Sequence, residues 1–171
     1  MKIKLLFLTL ICCIGLNAQV STTRINEFRL GMKKSEIEKL IGKSIQLKMN
    51  EGYPSEASHV VYKGIVYEVF FNKAYDDNGN ELKDFTIYSV TSQDRTLKTL
   101  SGISIGSTFD EVINKYKHNN ITIYDYWTEE STKDKKVRIF TINDFDAATQ
   151  LMLTIKNGKV SEFHVSYNEG C

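Results

Sequence analysis

The sequence predicts an α+β fold in which two tandem helix-plus-antiparallel-sheet repeats form one continuous curved antiparallel sheet with the helices on one face. Three observations predict this class: a motif that occurs twice, apolar residues at helical spacing after each copy, and alternating apolar and polar residues beyond. The motif reads Asn-Glu-Phe-Arg-Leu-Gly-Met-Lys-Lys-Ser-Glu-Ile from Asn26 and Ser-Gly-Ile-Ser-Ile-Gly-Ser-Thr-Phe-Asp-Glu-Val from Ser101. A duplicated unit constrains the fold but does not identify a function.

The spacing of the two copies predicts the domain organisation. Gly31 and Gly106 lie 75 residues apart, and at the same offset Tyr88 corresponds to Phe163 near the end of each unit. We therefore expect residues 19–97 to form the first repeat and residues 98–171 the second, packed as a single domain.

The first 18 residues match a secretory signal peptide. Lys2 and Lys4 form a short basic region, residues 5–16 are almost entirely apolar, and Ala18 ends a small-residue cleavage site. The apolar stretch is too short to be read first as a membrane span. We expect cleavage near Ala18, a periplasmic or secreted bacterial protein, and no membrane insertion of the mature chain.

Cysteine usage and charge limit the classes of partner. Cleavage removes Cys12 and Cys13 and leaves Cys171 as the single thiol, so the mature fold has no intramolecular disulfide, and a Cys171-linked dimer stays open. Of the 22 basic residues, Lys2 and Lys4 are lost on cleavage, which leaves 20 against 21 acidic residues. This balance gives no attraction to nucleic acid or to anionic lipid, and we expect neither as a partner.

The first unit is predicted to be one helix followed by strands. Ile37, Leu40 and Ile41 share one helical face, although Lys33 and Lys34 make a poor helix start. The side-chain period then changes to two, which predicts strands. These strands cover residues 44–49, 59–62, 65–71 and 85–90.

The second unit repeats this order with stronger local signals. Its helix carries four apolar residues at i, i+3, i+4 and i+7, namely Phe109, Val112, Ile113 and Tyr116. Thr108 and Glu111 match a capping box. Asn157-Gly158 is typical of a type I′ hairpin turn, and the absence of strand–helix–strand alternation argues against a parallel nucleotide-binding sheet. Strands are predicted at residues 121–127, 137–142, 149–155 and 160–167.

The two units resemble the repeat of the β-lactamase inhibitory protein-like fold. The resemblance rests on the Gly-Met-x-x-x-Glu-Ile and Ile-Gly-x-x-x-x-Glu-Val helix starts and on the Asn-Gly turn, and it covers nearly all of residues 28–167. Small outer-membrane assembly lipoproteins carry one similar unit. The chain departs from that family in having one predicted helix per unit instead of two, and it has no convincing lipobox. The resemblance implies a long curved sheet whose concave face is free to bind a protein.

We find no sequence motif for catalysis, for a cofactor or for a metal. His59, His118 and His164 lie in separate predicted elements without zinc-ligand spacing, and no nucleophile elbow or phosphate-binding loop occurs. Residues 76–81 offer oxygens at calcium-like spacing but lack the glycine and the distal glutamate of an EF-hand. An ordinary turn is the preferred interpretation there, and a cation site stays open.

The candidate binding residues are mainly aromatic. Tyr124 and Tyr126 share one face of the strand at residues 121–127, whereas the corresponding face of the first-unit strand at residues 44–49 carries Ser, Gln and Lys. Tyrosine is enriched at binding surfaces, although its high strand propensity also explains its presence on a sheet. Assigning the apolar sets of the other strands to the interior adds Ile87 to this open face. The predicted binding residues are Tyr124, Tyr126, Phe70, Phe140, Met152 and His164.

The sequence therefore predicts an exported, non-enzymatic module that binds an unidentified protein through the open face of its sheet, in the manner of an inhibitor. Two alternatives stay open. The first is a structural or assembly component of the bacterial cell envelope, and the second is a secreted enzyme with a site at the junction of the repeats. The missing catalytic motif disfavours the enzyme.

Overall fold

The computed structural model describes residues 19–76, 78–128 and 130–168, so the predicted signal peptide and Cys171 lie outside the described residues. Strands dominate the described chain. The elements in chain order are β1 (Val20–Ser21), β2 (Arg24–Ile25), β3 (Phe28–Arg29), α1 (Lys34–Ile41), β4 (Met49–Asn50), β5 (Tyr53–Pro54), β6 (Ser58–Tyr62), β7 (Ile65–Tyr75), β8 (Glu81–Ser92), α2 (Phe109–Tyr116), β9 (Ile121–Trp127), β10 (Lys133–Asp144), β11 (Thr149–Lys156) and β12 (Lys159–Tyr167).

Seven of these strands form one antiparallel sheet in the order β6-β7-β8-β12-β11-β10-β9. Neighbours in sequence are joined by short hairpins except at the centre, where the last strand, β12, pairs with β8. Both residues of the Asn157-Gly158 turn have positive φ, at 52° and 75°, as the predicted type I′ turn requires. The edge strands of this sheet are β6 and β9.

The predicted fold class, an α+β fold of two helix-plus-sheet repeats, is wrong. Strands make up 53% of the described residues and helices only 11%, and the strands form the seven-stranded sheet together with a three-stranded and a two-stranded sheet. The physical reason is that each helix is only eight residues long, while β7, β8 and β10 extend to 11 or 12 residues. The division at residue 97 stays a prediction.

The two helices nevertheless begin in the same way. The Gly31 amide donates to the carbonyl of Ile87 at 2.9 Å, and the Gly106 amide donates to that of Val160 at 2.8 Å. Both glycines have positive φ, at 76° and 94°, which explains why the motif needs glycine there. The chain is thereby tied to an inner strand immediately before each helix.

The capping predictions are confirmed for α2. Thr108 Oγ1 accepts the amide hydrogen of Glu111, and the Glu111 carboxylate accepts that of Thr108 at 2.6 Å. In α1 only the second half of this arrangement exists, because Lys33 has no side-chain oxygen and Glu36 alone accepts the Lys33 amide hydrogen at 2.9 Å.

The strand predicted at residues 44–49 is wrong, apart from Met49 at its end. The chain instead turns back onto α1, where the Glu38 carboxylate accepts the Ile45 amide hydrogen at 2.8 Å and the Ser44 hydroxyl at 3.1 Å. The Lys34 ammonium and then the Ile45 amide hold the pKa of Glu38 below its ordinary value. Side-chain bonding to the helix therefore replaces the sheet pairing that the alternating sequence suggested.

One face of the large sheet is buried against both helices. The rings of Phe109 and Tyr116 in α2 lie 6.4 and 6.2 Å from that of Phe140 in β10, and Ile37 of α1 belongs to the same core. One row of this face crosses six strands and consists of apolar residues, namely Val69, Val90, Val165, Leu151, Ile142 and Ile121. Burial of this face supplies the main driving force for folding.

Candidate binding surface

The candidate surface is the face of the seven-stranded sheet opposite the helices, which we call the open face. Because side chains alternate along a strand, the residues next to the buried row project from this face. One such row crosses all seven strands and consists of His59, Glu68, Thr91, His164, Met152, Thr141 and Thr122. The open face is therefore mostly polar, with apolar side chains at a few positions.

Tyr124 and Tyr126 lie on this face near its β9 edge. Tyr124 is 42% exposed and Tyr126 is 45% exposed, as predicted. The Tyr124 hydroxyl lies 2.9 Å from Thr141 Oγ1 and 3.7 Å from Met152 Sδ, so its ring is held over β10 and β11. We refer to Tyr124, Tyr126 and Met152 as the tyrosine patch.

A groove lies on the same face over β7, β8 and β12, with a volume of about 410 Å³. Phe70 packs edge-on against Tyr88 at 6.2 Å between ring centroids, and Tyr88 lies 6.1 Å from Tyr167. His164 also lines this groove. We call these four residues, Phe70, Tyr88, Tyr167 and His164, the aromatic groove.

His164 connects the groove with the tyrosine patch. It pairs with Met152 across β12 and β11, and its Nδ1 lies 2.8 Å from Thr91 Oγ1. Burial lowers the pKa of His164, and the nearby Glu162 carboxylate opposes this effect only in part. The ring is therefore neutral at pH 7 and presents an uncharged surface to a ligand.

The polar side chains between the aromatic ones are bonded to one another. Gln150 Nε2 donates to Ser166 Oγ at 3.1 Å, and Glu162 accepts from both Thr154, at 3.2 Å, and Gln93, at 2.9 Å. Polar groups that already have hydrogen-bond partners within the protein do not need further bonds to water or to a ligand. The open face therefore offers a partner exposed ring surface that is set among polar side chains already bonded to one another.

Two residues assigned to this face from the sequence are on the other one. The assignment of Phe140 is wrong, because it pairs with Leu153 and lies fully buried under α2. The assignment of Ile87 is also wrong. A register shift in the β7–β8 pairing between Phe70 and Phe71 turns Ile87 into the core and Tyr88 outward.

This bulge also contradicts the expected equivalence of Tyr88 and Phe163. Tyr88 lines the aromatic groove, whereas Phe163 is fully buried on the helix side. The 75-residue alignment is therefore correct at the helices and at Val90 and Val165, which are both buried, and wrong at Tyr88 and Phe163. Sequence reasoning missed Tyr88 for this reason, and it missed Tyr167 because strict alternation with Val165 placed that ring in the interior.

Titratable residues elsewhere are not gathered into a centre. No group of three His, Cys, Asp or Glu residues among those the structure describes could hold a metal ion. At residues 76–81 the Asp76 carboxylate accepts the amide hydrogens of Asn78 and Asn80 at 2.9 and 2.8 Å, which makes an ordinary turn, although Asp77 is outside the described residues. Over the described part of the chain, no helix has the length and apolar character needed to span a membrane.

Comparison of the chain with protein-family models, with curated proteins and with solved structures gives no match. The resemblance to the β-lactamase inhibitory protein-like repeat therefore stays a prediction. The functional argument rests on the geometry of the open face.

Proposed function

We propose that this protein is an exported, non-enzymatic module that binds another protein through its open face. The observation that carries the proposal is the arrangement of the tyrosine patch and the aromatic groove along one face, joined by Met152 and His164. Exposed rings among polar residues that satisfy one another are typical of protein-binding surfaces, because ring burial contributes affinity while few polar groups lose their partners. Export is inferred from residues 1–18 alone.

Protein binding explains the exposed rings better than small-molecule binding does. The aromatic groove is an open trough in the sheet surface, and Tyr124 and Tyr126 lie on β9, with β11 and β10 between them and the groove. A small molecule buries most of its surface in one concave site, whereas a protein contacts a broad area. A partner that covers both features uses the whole width from β7 to β9.

The test compares two double variants in a pull-down from periplasmic and secreted extracts. Tyr124→Ser with Tyr126→Ser removes ring surface from the open face, and Leu100→Ser with Phe145→Ser removes exposed apolar surface from turns outside the sheet. We expect one protein to be captured by the wild type and by the turn variant but not by the tyrosine variant, with both variants folded by circular dichroism.

The nature of the captured protein separates the alternatives. A soluble enzyme whose activity falls when the module is added supports an inhibitor-like role, whereas membrane proteins support a component of the cell envelope. Equal capture of the partner by the wild type, the turn variant and the tyrosine variant contradicts binding through the tyrosine patch.

A further inference from the structure

The strand β9 has one unpaired edge. It is the last strand of the sheet, and within the described residues no strand pairs with its outer side. The Asn143 amide donates to the Asn120 carbonyl at 2.8 Å, and the Thr128 amide donates to that of Thr132 at 2.8 Å. Hydrogen bonding alternates along an antiparallel pair, so even-numbered residues of β9 bond to β10. The backbone groups of four residues point outward, namely Ile121, Ile123, Asp125 and Trp127.

The two edges of the sheet differ in their protection. Beside β6 the chain at residues 43–48 lines a cleft of about 390 Å³ along the strand and shields that edge. The β9 edge has no such cover among the described residues, and Ile123 and Trp127 are 42% and 62% exposed. It also has no lysine or proline, the residues that usually block strand addition, and its single charge, Asp125, is paired with Lys133.

We infer that β9 pairs with β9 of a second copy of this chain, antiparallel across a twofold axis centred on Tyr124. This register pairs all seven residues of β9 with those of the second copy. The outward backbone groups of one β9 then face, and can hydrogen-bond to, the outward backbone groups of the other. It places Ile121 opposite Trp127 of the second copy and Thr122 opposite Tyr126 of the second copy. The result is a continuous sheet of fourteen strands with an isologous interface.

Charge and order favour a second copy as the occupant of this edge. A twofold axis centred on Asp125 sets two carboxylates directly opposite each other, which is destabilising, whereas the axis at Tyr124 sets each Asp125 opposite Ile123 of the second copy. With 20 basic and 21 acidic residues after cleavage, the mature chain has a formal net charge of −1, so two copies do not repel each other strongly at long range. Each copy already holds β9 as a strand, so pairing costs less conformational entropy than ordering a flexible peptide does.

This interface overlaps the surface in the proposed function only at the β9 residues Tyr124 and Tyr126. Self-pairing uses the edge of β9, while partner binding uses the open face, so either can fail without the other. Tyr124 belongs to both surfaces, and the first test therefore changes Ile123 instead.

The first test is sedimentation velocity over a range of protein concentrations. Ile123→Pro removes an amide hydrogen that points away from β10, so it spares the native sheet while it blocks the edge. Ile123→Thr is the matched control, since it keeps the amide hydrogen and the strand propensity. We expect the wild type and Ile123→Thr to dimerise, and Ile123→Pro to raise the dissociation constant at least about tenfold, with circular dichroism unchanged.

The second test examines the register by disulfide formation in protein whose native cysteines, Cys12, Cys13 and Cys171, are replaced by serine. In the proposed register two copies of Tyr124→Cys face each other, at the separation of directly opposed strand residues. Two copies of Thr122→Cys are four residues out of register, about 13 Å apart. We expect an oxidised dimer from the first variant and monomer from the second.

The following outcomes overturn the inference. A wild type that stays monomeric at all concentrations excludes self-pairing, and a dimer that persists in Ile123→Pro lies at another surface. Equal cross-linking of both cysteine variants contradicts the register. Loss of dimer only in Ile123→Pro, with selective cross-linking at position 124, supports it.

Discussion

Truncation of Ile37 tests how the short helix α1 is held to the sheet. Ile37 is the one fully buried residue of α1. Ile37→Ala removes three carbon atoms, worth about 0.8 kcal/mol each, or roughly 2.4 kcal/mol of transfer free energy. The cavity that remains adds to this cost, since an eight-residue helix pinned by Gly31 before it cannot collapse freely. We predict a loss of about 3 kcal/mol in the free energy of unfolding.

The assay is denaturant unfolding followed by far-ultraviolet circular dichroism. Trp127, the single tryptophan, lies largely exposed on β9 and is a poor reporter of α1. Ile37→Val should lose about 1 kcal/mol, and the exposed control Lys39→Ala should change stability by less than about 0.5 kcal/mol. A loss below about 1 kcal/mol for Ile37→Ala, with an unchanged denaturant slope, would refute the packing argument.

Three further predictions concern the starts of the two helices and the half-buried His164. Thr108→Ala should lower the free energy of unfolding by about 1 kcal/mol, because it removes the acceptor for the Glu111 amide hydrogen. Lys33→Thr should raise it by up to about 1 kcal/mol, because it adds the acceptor that α1 lacks. Denaturant unfolding measures both changes. His164 has a lowered pKa in the folded state, so the unfolded state binds more protons between that pKa and about 6.5. Stability should therefore fall as the pH is lowered through this window, and His164→Gln should remove that part of the pH dependence in thermal unfolding.

Each of these has a clear contrary result. If Lys33→Thr is neutral while Thr108→Ala destabilises, the two helix starts are not equivalent in the way their backbone bonds indicate. If His164→Gln keeps the wild-type slope of stability against pH, His164 is accessible to water in the folded state. A proton resonance of the His164 ring that titrates above its ordinary pKa would show that the Glu162 carboxylate outweighs the effect of burial.

Features that depend on a few neighbouring residues were predictable from the sequence. The helix α2 from Phe109 to Tyr116, its cap at Thr108 and the turn at Asn157 follow from contacts within one helical turn or one hairpin. The bounds of β9 also agree with the prediction, because its residues have high strand propensity and lie between polar turns.

Features that depend on distant partners were not predictable. Phe140 stands in Val-Arg-Ile-Phe-Thr-Ile, where both strand faces carry apolar residues, and only its pairing with Leu153 and its contact with Tyr116 decide its direction. The bulge at Tyr88 reverses the alternation without any glycine or proline to mark it. The short strands β1, β2 and β3 form a small sheet from residues whose patterns are too brief to indicate strands.

The central position of β12 has a consequence for how the chain acquires its structure. Because Val90 pairs with Val165, the two halves of the large sheet are joined, within the described residues, only by β12, which follows all the other strands in chain order. The incomplete chain can form the hairpin of β7 and β8, but it cannot close the sheet, and such long-range pairing forms slowly. For a protein secreted in an unfolded state, as the basic and apolar start of this chain predicts, this order of events keeps the large sheet open until β12 has been translocated. Removal of the last strand should accordingly leave two unjoined sheets and no stable core.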